Sequence, residues 1–204
     1  FGQVYRAYDV RLNREVALKV AGAKLLASSL PVESLLEEAR ASASLAHPGI
    51  VRIFEYQTDA NPPFIVQEFI QGGSLQMWAS TKRSYVEIVR VVTEIAEAIG
   101  YAHKRDLFHL DLKPGNVLMD RDGVPHIADF GLAVHESSQE KFQGRVAGTP
   151  AYMSPEQVRG ETHRIDGRAD IWALGVILYE LLAGRRPFRG SAIDKLYNNI
   201  LTVD

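Results

Sequence analysis

The sequence predicts an α+β protein in two parts: a β-rich first part with one helix, then a helix-rich second part. Three observations carry this. The first third holds short β-branched and aromatic runs, FGQVYRAYDV, REVALKV, IVRIFEYQ and FIVQEFI, broken by polar turns. After Gln71-Gly72-Gly73 the apolar spacing turns helical. Two more helical stretches, roughly 168–183 and 191–201, close the chain. At 204 residues, two small lobes are a natural division, and the seam divides them as 1–70 and 71–204.

The first two strands meet through the polar turn Leu12-Asn13-Arg14. SLLEEARASASLAH follows as the one helix of the first part, with Ser34 and Glu37 as a capping box. The next two strands are separated by the turn-like DANPP. From Ser84 to His103, apolar residues at 88, 92, 95, 99 and 102 mark one face of a long helix, and Ser84 with Glu87 is a second capping box. LFHLDL, NVLMD and PHIAD read as short strand-like pieces around turns. Residues 132–150 are polar and aperiodic and read as a long loop, of a length usually functional or disordered.

Composition excludes several classes. With 46% hydrophobic residues the chain fills a core, which argues against disorder. A formal charge of −2 gives no pull toward nucleic acid or an anionic membrane, and no nucleic-acid partner is expected. There are no cysteines, hence no disulfides and no thiolate metal sites. The longest apolar run, IWALGVILYELLAG, contains Glu180 and is shorter than the ~20 residues of a membrane span, so it reads as a buried helix. The expected location is the cytoplasm, with any membrane anchor outside these residues.

The chemistry sits in HLDLKPGNVLMD, residues 109–120. Asp111 and Asn116 flank a turn made by Pro114 and Gly115, with Lys113 between them. Asp129 follows thirteen residues after Asn116, in Asp-Phe-Gly. A carboxylate and an amide oxygen are hard ligands suited to Mg²⁺. Asp111 is then free to orient a hydroxyl, and Lys113 to neutralise a moving phosphoryl group, which is the equipment of phosphoryl transfer. Any one of these residues alone is better explained as a turn former. The weight lies in their joint register. The histidines at 47, 126, 135 and 163 are scattered and show no ligand spacing.

These motifs resemble those of protein kinase catalytic domains, especially the bacterial serine/threonine kinases of eukaryotic type. The resemblance covers nearly the whole chain and implies the bilobal protein-kinase-like fold. Val16-Ala17-Leu18-Lys19 matches the strand whose lysine holds the α- and β-phosphates. Glu38 matches its helix partner, with Glu37 the less favoured neighbour. Gln67 falls at the gatekeeper position. The backbone of Glu68 and Ile70 meets the adenine edge, and Val4, Ala17 and Leu118 sandwich the ring. Asp111 and Lys113 are implied as catalytic, and Asn116 and Asp129 as metal ligands. Asp170 is implied to accept backbone hydrogen bonds from the catalytic loop. Phe130, His109 and Ile53 match a stacked column joining the lobes, with Ser42 at its fourth position. Gly148-Thr149-Pro150 and Ser154-Pro155-Glu156 match the substrate platform, and Thr149 matches the threonine that hydrogen-bonds the catalytic Asp and Lys. The implied activity is Ser/Thr phosphorylation of proteins in signal transduction, using ATP with Mg²⁺, or Mn²⁺ in its place. A pseudokinase is the rival from another class, but such proteins typically lose Lys19, Asp111, Asn116 or Asp129, and all four are present. A small-molecule phosphotransferase of the aminoglycoside type fits poorly with Gly148–Glu156.

Four departures stand out. The glycine-rich loop is present only from its last glycine, Gly2, and the family pattern continues past Asp204, so a domain truncated at both ends is expected. Ser154 replaces the usual Ala. Leu110 replaces the Arg that precedes the catalytic Asp in many relatives. Leu110 has no donor for a loop phosphate, so phosphorylation at Ser137 or Ser138 is expected to exert weakened control.

Overall fold

The computed structural model describes residues 3–22, 43–57, 59–130, 134–135 and 148–202. The expected helix over 34–47 lies almost wholly outside them, with Glu37, Glu38 and Ser42, as do Gly2, Ser137 and Ser138.

Four strands form one antiparallel sheet. They are β1 (Gln3–Asp9), β2 (Arg14–Val20), β3 (Ile53–Gln57) and β4 (Phe64–Glu68), in the order β1-β2-β4-β3. Ala17 pairs with Gln67 and Lys19 with Ile65, which brings the lysine strand beside the strand that leads into the seam. The predicted strand at 50–57 is shorter in the structure. Ile50 instead makes an isolated bridge to Ile127, and Val51 N–H donates to Ile127 O, tying the sheet region to the second part.

The second part is built on α1 (Leu75–Trp78), α2 (Tyr85–His103), the pair β5 (Leu107–Phe108) and β8 (Val134–His135), and the hairpin β6 (Val117–Met119)/β7 (Pro125–Ile127). Then come α3 (Pro155–Arg159), α4 (Arg168–Ala183) and α5 (Ile193–Thr202). α2 starts where Ser84 and Glu87 cap each other, as their spacing predicts. Its buried face is Ile88, Val91, Ile95, Ala98, Ile99 and Ala102, of which all but Ile88 pack with Leu107, Leu112, Val117, Phe130 and Ile177 in one core. Burying such a side chain contributes roughly 1.5–3 kcal/mol. α4 covers residues 168–183 as predicted and stops at Gly184, whose φ of 65° suits glycine.

Among the described residues of the expected loop over 132–150, Val134 and His135 form β8 by pairing with Phe108 and Leu107. Pairing across the chain overrides the local polarity that signals a loop. The short helices α1 and α3 have too few turns for apolar periodicity, and each is announced only by its Ser cap, Ser74 and Ser154. The seam is tight. Met119 N–H donates to Gly73 O, and a side chain at Gly72 would meet Met119 O at 2.2 Å.

Candidate active site

Each chemical side chain is delivered by the end of an element. A 3₁₀ turn at Pro114–Asn116 follows Lys113 and leads into β6, while Asp129 and Phe130 follow β7. The turn presents Asp111 and Asn116 to one place, as the Pro-Gly pair predicts. Asn116 Nδ2 donates to Asp111 O (2.9 Å) and Asp111 Oδ2 (3.3 Å), which fixes the amide's orientation. Lys113 Nζ donates to Asp111 Oδ2 (2.7 Å) and to Thr149 Oγ1 (2.6 Å). Thr149 Oγ1 in turn donates to Asp111 Oδ1 (2.7 Å). Thr149 thus closes a triangle with Asp111 and Lys113 from far along the chain.

Across the cleft, Lys19 is 5% exposed and its Nζ donates to Asp129 Oδ1 (2.8 Å). Gln67 is buried and lines a small cavity with Val51, Ile53, Ile65, Asp129 and Phe130. The gatekeeper position therefore stands behind the Lys19–Asp129 pair. Ala17 is buried, Leu118 and Ile70 are half-buried, and Val4 is 59% exposed on β1. Glu68 N–H is committed within the fold, donating to Arg52 O (2.8 Å).

The catalytic loop is held from below. Asp170, 1% exposed in the first turn of α4, accepts from His109 N–H and Leu110 N–H, both 2.8 Å. His103 Nε2 lies 2.8 Å from the same carboxylate. Gly167 makes room for that ring, because a Cβ there would meet it at 2.8 Å. His109 packs against Phe130 with the rings tilted at 49° and their centroids 4.8 Å apart, and its Nε2 bonds to Ala128 O. Leu110 has φ 62° and Asp129 has φ 59°. A non-glycine residue in this region costs on the order of 1–3 kcal/mol and persists only when its surroundings impose it. On the substrate-platform side, Tyr152 donates to Glu180 Oε2 (2.6 Å). Burial, together with that bond, pushes the phenol well above its usual pKa. Glu156 is half-buried in the first turn of α3.

Sequence reasoning missed three residues here. His103 reads as an ordinary helix end, and nothing in the sequence reveals that it meets Asp170. Ser154 reads as a mild replacement, yet it is buried and caps α3 against Gln157. That pair is a Ser-x-x-Gln capping box, legible in the sequence but not read there.

The donor set fits a nucleotide with a divalent cation. Asp129 and Asn116 offer hard oxygens, and Lys19 is a buried cation aimed at one of them. Among the described residues no cluster of three His, Cys, Asp or Glu side chains could hold a metal by itself.

A two-lobed sheet-and-helix fold with this loop defines a phosphotransferase of the kinase class. The protein kinase domain family model matches residues 1–203, and the chain belongs to that family. It is 39% identical over 99% of its length to the serine/threonine-protein kinase ULK3 of Xenopus laevis. It is also 39% identical to PknL of Mycobacterium bovis and 33% identical to PknB of Mycobacterium leprae, over 97% of its length in both cases. The chain spans 43%, 50% and 33% of those three proteins. Membership of the family implies ATP as phosphoryl donor, usually with a divalent metal, and proteins as substrates. Among the described residues no helix is long and apolar enough to cross a membrane.

Proposed function

We propose that the protein is a serine/threonine protein kinase acting in signal transduction, with its lobes divided at Gln71–Gly73, and that Mg²⁺ is its preferred metal. The observation that carries this is the Asp111–Lys113–Thr149 triangle, in which a base, a cation and a residue of the substrate platform are bonded together. When bound, the metal nucleotide supplies the transferable phosphoryl group and screens its charge. Asp129 and the Asn116 amide oxygen would hold the metal, and Lys19 the phosphates. Glu38 lies outside the described residues and is proposed as the partner of Lys19. Val4, Ala17, Leu118 and the backbone of Glu68 and Ile70 would enclose the adenine, with Gln67 behind it.

The chain's own chemistry is positioning and proton transfer. Asp111 Oδ1 accepts one bond from Thr149, and a carboxylate oxygen has a second lone pair. A substrate hydroxyl could donate there, and Asp111 would take its proton. Lys113 keeps a positive charge beside the transferring group. Thr149 holds both residues in register with the platform that runs through Ser154 and Glu156. The presence of Lys19, Asp111, Asn116 and Asp129 supports catalysis over a scaffolding role, and the platform supports a protein acceptor over an aminoglycoside.

The experiment is transfer of labelled phosphate by the full-length protein. A generic basic protein and an aminoglycoside serve as acceptors, and Asp111→Asn as control. Label on serine and threonine of the protein, lost in the variant, is expected. Transfer to the aminoglycoside alone, or no transfer, overturns the reading.

A further inference from the structure

The carbonyl of Leu110 is held by a side chain from a different element. Gln157, 4% exposed in α3, donates from Nε2 to Leu110 O at 2.8 Å. Its Oε1 accepts from Ser154 N–H (3.0 Å) and Ser154 Oγ (3.3 Å). The cap therefore fixes which end of the amide faces Leu110. Meanwhile Asp170 takes Leu110 N–H, and Asp111 N–H donates to His109 Nδ1 (3.2 Å). The peptide unit between Leu110 and Asp111 is thus gripped at its carbonyl by Gln157 and at its N–H by His109. Gly148, at φ 120°, leaves room beside this carbonyl, since a Cβ there would press on Leu110 O at 3.2 Å.

We infer that Gln157 is a positioning residue for phosphoryl transfer. It acts by holding the Leu110–Asp111 peptide in the orientation that aims the Asp111 carboxylate, and so couples the helix after the substrate platform to the catalytic base. Leu110 sits at φ 62°, a conformation its own side chain does not favour, so outside bonds must impose it. Gln157 makes one of the two such bonds to its backbone, and nothing in α3's own cap requires the amide nitrogen. A Glu at this place would cap Ser154 equally well. Only the donor to Leu110 requires Gln.

This inference rests on the kinase reading, and the test separates the two. Gln157→Glu keeps the cap acceptor and removes the donor. In the full-length protein, kcat is expected to fall about tenfold near pH 8, with KM for ATP and for a basic substrate protein changed by less than about twofold. The introduced carboxyl regains a donor once protonated, so the deficit relative to wild type is expected to shrink as pH falls. Amide exchange at Leu110 and Asp111, which needs no turnover, is expected to speed up about tenfold. In a Leu110→Gly background, where glycine reaches this conformation freely, the same substitution is expected to cost less. If Gln157→Glu destabilises the fold, the Leu110→Gly background decides: an undiminished penalty there overturns the proposal. Wild-type kcat and exchange in Gln157→Glu also overturn it while leaving the kinase reading intact. A wild-type protein that transfers no phosphate overturns both.

Discussion

Lys19 Nζ donates to Asp129 Oδ1 at 2.8 Å, joining residues 110 positions apart, one on the sheet and one just after β7. The lysine is almost fully buried while the carboxylate is a third exposed. The carboxylate is therefore the more accessible partner of the pair.

Lys19→Met keeps an apolar stem of similar length and removes this cation. Phosphoryl transfer is expected to fall at least roughly a hundredfold, about 2.7 kcal/mol of barrier, while the melting transition stays cooperative. Steady-state kinetics with calorimetry on the same sample measure both, and wild-type turnover in the variant would reject the assignment of Lys19.

Thr149 bridges Asp111 and Lys113 through a single hydroxyl. Thr149→Val keeps the shape and removes both bonds, so transfer is expected to drop about tenfold or more. Thr149→Ser keeps the hydroxyl and is expected to stay within roughly threefold of wild type. Wild-type turnover in Thr149→Val would contradict the role given to the bridge.

Asp170→Asn replaces a buried acceptor of two backbone N–H groups and one imidazole with an amide that has one acceptor atom. A loss of about 3 kcal/mol in unfolding free energy is expected, within the range for leaving buried polar groups unpaired. Denaturant titration checks it, and a change below about 1 kcal/mol would contradict the anchoring role.

The Tyr152 phenol has a folded pKa above its ordinary value of 10.0, first from burial and then from its bond to Glu180. A raised folded pKa means that the associated stability is fully present below pH 10 and is lost as pH climbs through the folded value. Against Tyr152→Phe, the wild-type advantage in Tm is expected to hold steady from pH 7 to about 10 and to shrink above that. An advantage independent of pH up to 11.5 is the outcome that contradicts it.

Leu110 offers no cation to a loop phosphate, and its backbone is already held by Asp170 and Gln157. Phosphatase treatment of the full-length protein is expected to change turnover by less than roughly tenfold, and Leu110→Arg to increase that dependence. Turnover with loop occupancy by mass spectrometry measures this. A protein silent without phosphate and fully active with it would sink the idea.

The sequence alone determined the α+β class, the long helix from Tyr85 to His103 with its Ser84–Glu87 cap, and the stretch from Asp111 to Asp129 that carries the chemistry. These are legible because capping, helical periodicity and a turn with side chains at fixed offsets are local matters, set by residues a few positions apart. The tertiary structure decided what depends on distant partners. It paired β8 with β5 inside a stretch whose composition reads as loop. It set His103 on Asp170 and Gln157 on the Leu110 carbonyl. A hydrogen bond between residues 47 to 67 positions apart leaves no period in the sequence, and packing α3 and α4 beside the loop brings those groups within reach. The left-handed turn at Leu110 belongs to the same class, because the leucine does not favour it and the bonds that impose it come from elsewhere in the fold.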